Sequence, residues 1–387
     1  MRSEREKKQK FKSVDWITIL IVLGLVAFGL ITIANVWADP FTGQEQGLQD
    51  IVEKLNFEYV KKQIVNFLVG LAALLVLLVI DYNLYRSFIK YVYIVNVALL
   101  VFLLLSGASS RGVMGWFNLG ARAFQPSELC KISMCAMVSN HVSKAVDRDG
   151  SLKSLKDIAI ALGYFAVPFV LVVAQPDMGT AFVLLCLFIC ILFIAKISWK
   201  YIAGAAVAAG ALMPLSYFFV LNDDQKARID VFLNPSQADP TGDGMHVLRS
   251  MESIGSGQLT GKGYFTEGTL AQLKYVPERH TDFVFSSIVE GLGFIGGTVL
   301  IVVFFLLILR WLWVALHAKD FFGTCLVIGC MGMLLAHVFE NIGMTIGLMP
   351  ITGIPLPFIS YGGSNLLANM MAVGIVLNVW MRRQQRR

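Results

Sequence analysis

Charged residues are scarce in this sequence. Asp, Glu, Lys and Arg make up 15% of its 387 residues, whereas soluble proteins carry about 25%. Hydrophobic residues make up 56%, and the mean hydropathy is +0.68, which together exclude a water-soluble globule. Aromatic residues make up 12%, so a disordered chain and a simple compositional repeat are excluded as well. The composition is that of a polytopic membrane protein.

The sequence also lacks a disulfide framework in its polar segments. All six cysteines fall inside apolar stretches, in pairs on one helical face, and no cluster of His or carboxylate residues accompanies them. We therefore interpret them as small buried hydrophobic residues rather than as metal ligands, and predict no metal site in the protein itself. These residues are Cys130, Cys135, Cys186, Cys190, Cys325 and Cys330.

Apolar stretches of membrane-spanning length recur along the chain. Crossing about 30 Å of hydrocarbon takes roughly 20 helical residues. The sequence therefore predicts an all-α polytopic membrane protein with about ten transmembrane helices, in a single membrane domain over residues 1–387. The predicted spans are 14–37, 60–80, 88–106, 128–144, 157–174, 179–195, 201–221, 285–309, 321–346 and 365–381.

The distribution of basic residues predicts the orientation. Basic residues near helix ends stay cytoplasmic, and placing both termini inside puts most Lys and Arg residues on the inner side. Residues 1–13 and 382–387 are then basic cytoplasmic termini. The net charge of +6 is explained by anionic lipid at the inner leaflet, so we expect membrane contact and no nucleic acid.

One polar segment is much longer than the others. Residues 222–282, between the seventh and eighth predicted spans, contain several aromatic residues among glycines. Long loops are usually either functional or disordered, and this aromatic content favours order. We predict a large structured extracytoplasmic loop with short amphipathic helices.

A glycine-rich stretch inside this loop, Gly255 to Gly263, invites comparison with phosphate-binding loops. The Walker spacing is wrong, because Ser256 takes the place of the first glycine and Gly263 follows Lys262. Two interpretations stay open: a structural turn that carries one cation, and a phosphate-binding loop.

Asp282 lies where this loop enters the eighth span. A plain helix N-cap is the simpler interpretation. The alternative is a carboxylate at the edge of the membrane that acts as a general base, with Arg279 and His280 close by to tune it. Glu290 lies too far along the same helix to pair with Asp282 directly.

Two further segments carry unusual polar residues. Trp116 is either an interfacial anchor or part of a site. Glu128 and Lys131 are three residues apart at the start of a helix, so they can pair on one face, as a structural ion pair or as part of a site. Residues 352–364 are rich in Pro and Gly at membrane depth, which requires a protein-lined cavity.

Four motifs occur together, in order, through nearly the whole chain. They are Gln125-Pro126-Ser127-Glu128 with Lys131, Gln175-Pro176-Asp177-Met178-Gly179-Thr180, Pro277 with Thr281-Asp282-Phe283, and Pro355 through Ser364. In this the sequence resembles the SEDS family of bacterial shape, elongation, division and sporulation proteins, and its motifs look more like RodA than FtsW.

The resemblance implies a function, a partner and a location. Family members are peptidoglycan glycosyltransferases that polymerise lipid II in the bacterial cytoplasmic membrane, with a class B penicillin-binding protein as partner. By the same resemblance Asp282 is the essential loop aspartate, Trp116 the outer-loop tryptophan, and Glu128 with Lys131 the buried acid–base pair. The chain departs from the family at Glu290-Gly291, where two adjacent acids are usual.

The implied reaction predicts further substrate-binding residues. A lipid diphosphate leaves as an anion, so cations can assist its departure, alone or with Mg²⁺; no other cofactor is implied. The candidate cations are Arg111, Arg122, Lys262 and Arg279, each of which has an ion-pair role as its alternative. Ser360 and Ser364 of the Pro- and Gly-rich segment are further candidates for substrate binding.

Other functions stay open at this point. A lipid II flippase would use polar residues inside the membrane, such as His337, Glu340 and Asn341, as its translocation path. A non-catalytic scaffold for the penicillin-binding protein is a third hypothesis. Gly293 and Gly297 permit close helix approach, either to a partner helix or within the bundle.

Overall fold

The computed structural model describes residues 14–39, 54–106, 115–119, 122–219, 223–233 and 243–383. In these ranges the chain forms helices and one short antiparallel hairpin, which pairs Phe117 with Phe124. The elements are α1 Trp16–Trp37, α2 Phe57–Val79, α3 Tyr82–Ser106, β1 Phe117–Leu119, β2 Arg122–Phe124, α4 Pro126–Asp149, α5 Leu155–Ala174, α6 Met178–Ile194, α7 Trp199–Phe219, α8 Asp223–Leu233, α9 Asp243–Ser256, α10 Val284–Leu316, α11 Phe321–Thr345 and α12 Gly363–Met381.

Every predicted span coincides with a helix, namely α1 to α7 and α10 to α12. Of the described helices, seven are long and apolar enough to cross a membrane: α1, α2, α3, α5, α10, α11 and α12. The helix α6 is apolar but has 17 residues, and α4 mixes apolar with charged residues. The prediction of an all-α multi-pass membrane protein is confirmed except for the short hairpin β1–β2, whereas the count of ten transmembrane helices stays a prediction.

The centre of the bundle is formed by α11 and α12. In the most apolar stretch of each, 78% of the residues are buried, compared with 17% to 39% in the other five candidate spans. The helix α11 packs against α4, α6 and α10, and α12 packs against α2. The outer helices present Leu, Val, Ile and Phe to the exterior, as lipid contact requires.

The helix α10 is broken at Gly293. Its backbone there has φ 70° and ψ −173°, a conformation that favours glycine because no Cβ is present. The break leaves backbone groups without helical partners, and the loop supplies them: the amides of Phe294 and Ile295 donate to the carbonyls of Gln258 and Leu259 at 2.8 and 3.2 Å. The close approach at Gly293 is therefore that of the loop backbone at Leu259 and Gly261, and the predicted close approach of a helix stays a prediction.

At the opposite end of the bundle, a buried ion pair joins α1 to α10. The Nη2 atom of Arg310 lies 2.9 Å from Oδ1 of Asp15, whose side chain is 1% exposed. Asp15 is also the N-cap of α1 and accepts from the backbone N–H of Thr18 at 3.4 Å. The guanidinium lies over the ring of Trp380, 4.6 Å from its centroid. These contacts hold the first, tenth and twelfth helices together.

We expect Asp15→Asn to destabilise the protein. Asparagine is as good an N-cap as aspartate, so the change isolates the charge that Arg310 loses. Because the Arg310 side chain is 18% exposed and keeps some solvent, the loss is expected to be smaller than for a fully buried pair. The free energy of unfolding should fall by about 1–3 kcal/mol in a denaturant titration of the purified protein.

Asp149→Asn is the matched control. It removes a carboxylate 2.7 Å from Arg148, whose side chain is 60% exposed, so solvent replaces the lost contact and stability should not change measurably. Equal stability of Asp15→Asn and the wild type would show that the buried pair does not hold the helices together.

Candidate functional site

Asp282 lies in the turn that leads into α10 and is half-buried. The N-cap of α10 is Phe283, so the structure does not give Asp282 the simple capping role. Its Oδ2 atom lies 3.7 Å from the point where a side chain on Gly353 would begin, and Gly353 has a positive φ of 70°. The 352–364 segment therefore approaches the carboxylate through a residue that has no side chain.

The backbone of Asp282 is fixed by one side chain of α11. The amide nitrogen of Asn341 donates to the carbonyl oxygens of Asp282 and Ile354, both at 2.7 Å. Asn341 itself is fully buried. A single carboxamide therefore joins the turn before α10 to the segment that carries Gly353.

Ser360 makes the second connection between these two segments. Its hydroxyl donates to the carbonyl of Thr281 at 2.6 Å and accepts from the amide of Leu356 at 2.8 Å. The amide of Tyr361 also donates to the carbonyl of His280 at 2.9 Å. These hydrogen bonds position the turn before α10. Substrate binding by Ser360 stays a prediction.

The predicted pairing of Glu128 with Lys131 is present. The Nζ of Lys131 lies 2.7 Å from Oε2 of Glu128, and both side chains are almost completely buried. Lys131 Nζ also lies 2.8 Å from Nε2 of His337. Removing a charge from water is costly unless it is paired and hydrogen-bonded, and these two contacts provide both.

The remaining motifs meet beside this pair. The side-chain amide of Gln125 donates to Asp177 Oδ2 at 2.9 Å, which joins the start of α4 to the N-cap of α6. Ser364 Oγ accepts from the backbone amide of Gln125 at 3.0 Å. Gly179 packs so closely that a Cβ there would lie 2.4 Å from Ile354. Three segments that are distant in sequence therefore meet beside the buried pair.

The predicted cations are in different surroundings. Lys262 pairs with Glu290 at 3.1 Å. Arg279 is buried against α1, where its Nη2 donates to the carbonyl of Val36 at 3.4 Å, and burial lowers its pKa. Arg122 lies in β2, and Arg111 lies outside the described residues. Substrate contact by these cations stays a prediction.

The neighbours expected to tune Asp282, Arg279 and His280, both contact aromatic side chains, and their effect on Asp282 stays a prediction. Arg279 lies over the ring of Trp37, 5.2 Å from its centroid. The imidazole of His280 packs edge-on against Trp37 and Tyr59, with ring centroids 5.1 and 5.5 Å apart. Both side chains thus hold the loop to the ends of α1 and α2. Trp116 is half-buried just before β1.

Glu290 organises the loop, which sequence reasoning did not anticipate. Its carboxylate is buried and accepts from the backbone amides of Leu270 at 2.6 Å and Ala271 at 3.0 Å. It also accepts from Ser253 Oγ at 3.1 Å, in addition to the ion pair with Lys262. The glycine-rich stretch is therefore tied to α10, as its structural interpretation expects.

A metal site in the protein itself would require several His, Cys, Asp or Glu side chains close together. Among the residues that the structure describes, no group of three or more His, Cys, Asp or Glu side chains is placed to hold a metal ion. A role for Mg²⁺ together with the substrate stays a prediction.

This arrangement can be compared with known proteins. The model of the cell cycle protein family that comprises FtsW, RodA and SpoVE matches residues 15–385. The chain belongs to this family. It is 37% identical over 371 residues to the peptidoglycan glycosyltransferase MrdB of Escherichia coli K12, covering 96% of this chain and 94% of MrdB.

Solved structures of family members have the same fold. One match, from a study of how a peptidoglycan synthase complex coordinates polymerisation and crosslinking, has a TM-score of 0.77 and 27% identity and covers 96% of this chain and 99% of the other. An Asp-to-Ala variant of RodA from Thermus thermophilus matches with a TM-score of 0.69 and 25% identity, at the same coverages. The predicted family is confirmed, and these matches accord with the RodA-like motifs.

We expect Glu290→Gln to loosen the loop. Glutamine has the same shape but one acceptor fewer, and its amide hydrogens would face the N–H groups of Leu270 or Ala271. The change also removes the charge that holds Lys262. When the folded protein is treated with trypsin, the rate of cleavage after Lys262, measured by mass spectrometry of the fragments, should rise roughly tenfold.

Glu252→Gln is the control for this experiment. Glu252 accepts a hydrogen bond from the hydroxyl of Tyr275 at 2.8 Å in an exposed position, and its loss should leave cleavage after Lys262 unchanged. Identical cleavage rates in Glu290→Gln and the wild type would contradict the anchoring role of Glu290.

Proposed function

We propose that this protein is a membrane-embedded peptidoglycan glycosyltransferase that polymerises lipid II disaccharide units into glycan strands during cell-wall elongation. One observation carries the proposal: the chain matches MrdB, a peptidoglycan glycosyltransferase, along 96% of its length. The placement of Asp282 supports it, because two separate segments hold the turn that carries this carboxylate.

Asp282 is the general base of the proposed reaction. Its carboxylate takes the proton of a hydroxyl on the acceptor sugar, and the freed oxygen attacks the anomeric carbon of the donor. A base must be held within hydrogen-bond reach of its proton, about 2.6–3.2 Å. The bonds from Ser360 and Asn341 fix the peptide groups before and after the Cα of Asp282, which limits how far the carboxylate can move.

The leaving group needs stabilisation rather than protonation. The bond between the anomeric carbon and the diphosphate oxygen breaks, and the lipid diphosphate departs as an anion. Positive charge lowers the energy of such a transition state. We propose that Arg111, Arg122, Lys262 and Arg279 supply this charge, alone or with Mg²⁺. Trp116, Ser360, Ser364 and the Glu128–Lys131 pair contribute to the substrate site.

The same proposal gives a topology. Ten helices, α1 to α7 and α10 to α12, cross the membrane with both termini in the cytoplasm. Residues 222–282 then form an extracytoplasmic loop between the seventh and eighth spans, and residues 1–13 and 382–387 are basic cytoplasmic tails. This orientation places Asp282 on the outer side. It is supported by the distribution of Lys and Arg along the sequence.

We also propose a class B penicillin-binding protein as partner. The support is the similarity to a chain studied within a peptidoglycan synthase complex that coordinates polymerisation with crosslinking. Lipid II and the membrane are the other expected partners.

Asp282→Asn should abolish glycan synthesis while leaving the fold intact. The amide keeps the size of the carboxylate but cannot accept a proton at neutral pH, and general base catalysis contributes about 10²–10⁴-fold to a rate. Purified protein in detergent with lipid II, assayed for polymer by gel electrophoresis, measures the loss. The melting temperature checks the fold.

Glu267→Gln is the matched control, because Glu267 is an exposed acid of the same loop and should not affect the rate. Wild-type rates in Asp282→Asn would remove Asp282 as the base. Transfer of the lipid II headgroup across vesicles without any glycan product would instead identify a flippase.

A further inference from the structure

A small cavity of about 170 Å³ lies between the end of α1 and the turns that precede Arg279. A water molecule takes up about 30 Å³ of liquid volume, so the cavity has room for more than a single water. Its lining contains none of the residues that hold Asp282 in place, namely Asn341, Gly353 and Ser360. The lining residues are Val36, Trp37, Ala38, Asp39, Asn56, Gln272, Lys274 and Arg279.

The inner wall of this cavity carries a buried cation. Arg279 is 6% exposed and lies against the ring of Trp37. Its Nη2 donates to the carbonyl of Val36 at 3.4 Å, a long bond, and its Nε has no hydrogen-bond partner among the described residues. The neighbouring acid Glu278 stabilises the charge, but burial has the larger effect and lowers the pKa of Arg279. A buried guanidinium normally has several acceptors, and this one lacks them.

Two other lining residues have unused polar groups. Within the part of the chain that the structure describes, the indole Nε1 of Trp37 and both ends of the Gln272 carboxamide are buried without hydrogen-bond partners. Indole and guanidinium nitrogens are donors only, so both require an acceptor. The carboxamide of Gln272 can donate to the same acceptor and can accept from a hydroxyl on it. Together these groups match an oxyanion with several oxygens.

The residues that line the cavity carry a net positive charge, which favours binding of an anion. Lys274 and Asp39 are exposed at the rim and cancel each other, which leaves the positive charge of Arg279 at the inner wall. The cavity also lies at the end of α1, an apolar helix of 22 residues that is long enough to span a membrane. The end of such a helix lies at the level of lipid headgroups, where phosphate is the abundant oxyanion.

We propose that this cavity is a phosphate-binding site, in which Arg279, Trp37 and Gln272 donate hydrogen bonds to the phosphate oxygens. The phosphate belongs either to a phospholipid headgroup or to free phosphate. Guanidinium groups suit this role because their fork of N–H donors matches phosphate geometry. The cavity shares Arg279 with the cations proposed to stabilise the leaving diphosphate, but its lining contains none of the residues that hold Asp282, and phosphate binding is measured without glycan synthesis.

The first test measures binding of inorganic phosphate to the purified full-length chain in detergent. Calorimetric titration at constant ionic strength, with chloride replacing phosphate as the reference, should show one saturable site. Arg279→Lys keeps the charge but removes the fork and Nε, and Trp37→Phe keeps the ring under Arg279 but removes Nε1–H. Each should weaken binding about tenfold or more, as expected for lost charged hydrogen bonds.

Arg249→Lys is the matched control. Arg249 also lies over an aromatic ring in the same loop, 4.5 Å from the centroid of Tyr275, but it does not line the cavity. Its phosphate binding should equal that of the wild type. Gln272→Leu provides a third cavity variant for the case in which Arg279→Lys or Trp37→Phe does not retain the wild-type melting temperature without phosphate.

The second test distinguishes the two sources of phosphate. The protein is reconstituted in nanodiscs of phosphatidylcholine with or without phosphatidylglycerol, and the retained lipids are counted by native mass spectrometry. Loss of one retained phospholipid in Trp37→Phe identifies a headgroup site, and saturable inorganic phosphate binding without that loss identifies a free-phosphate site. Either result supports the proposal. Absence of both, or equal binding in the wild type and the cavity variants, would show that the cavity holds water only.

Discussion

The carboxamide of Asn341 is the contact on which the candidate site depends. It donates to the carbonyls of Asp282 and Ile354, two residues that belong to separate non-helical segments beside α11. Such carbonyls have little access to water, and an unpaired buried carbonyl costs free energy comparable to a lost hydrogen bond. One side chain of a central helix therefore satisfies both carbonyls and fixes the position of Asp282.

The same principle explains the other irregular segments. At three places where the backbone is irregular, a buried polar side chain or the backbone of the loop satisfies its hydrogen-bonding groups. The break at Gly293 is paired with residues 258 and 259, Ser360 bridges Thr281 and Leu356, and Glu290 accepts from the loop amides. Buried polar networks of this kind are costly when incomplete and rigid when complete. The conformation of the loop is thus coupled to that of α10.

The sequence predicted the helices well because span length and hydropathy are local properties. The positions of α1 to α7 and α10 to α12 follow from span length and hydropathy. The pairing of Glu128 with Lys131 follows from their spacing of three residues on one helix. Contacts between distant segments, such as Gln125 with Asp177, do not. Lys262 shows the limit: its charge was evident, but its pairing with Glu290 depends on how the loop folds back on α10.

The central claim is that Asp282 is held where it can take the proton of the acceptor sugar. A structure of the full chain with a non-hydrolysable lipid II analogue bound tests it most directly. The account predicts an acceptor hydroxyl within about 2.6–3.2 Å of the Asp282 carboxylate, with the Asn341 and Ser360 hydrogen bonds intact. A bound acceptor sugar whose hydroxyls all lie beyond reach of that carboxylate, even through one water, would contradict it.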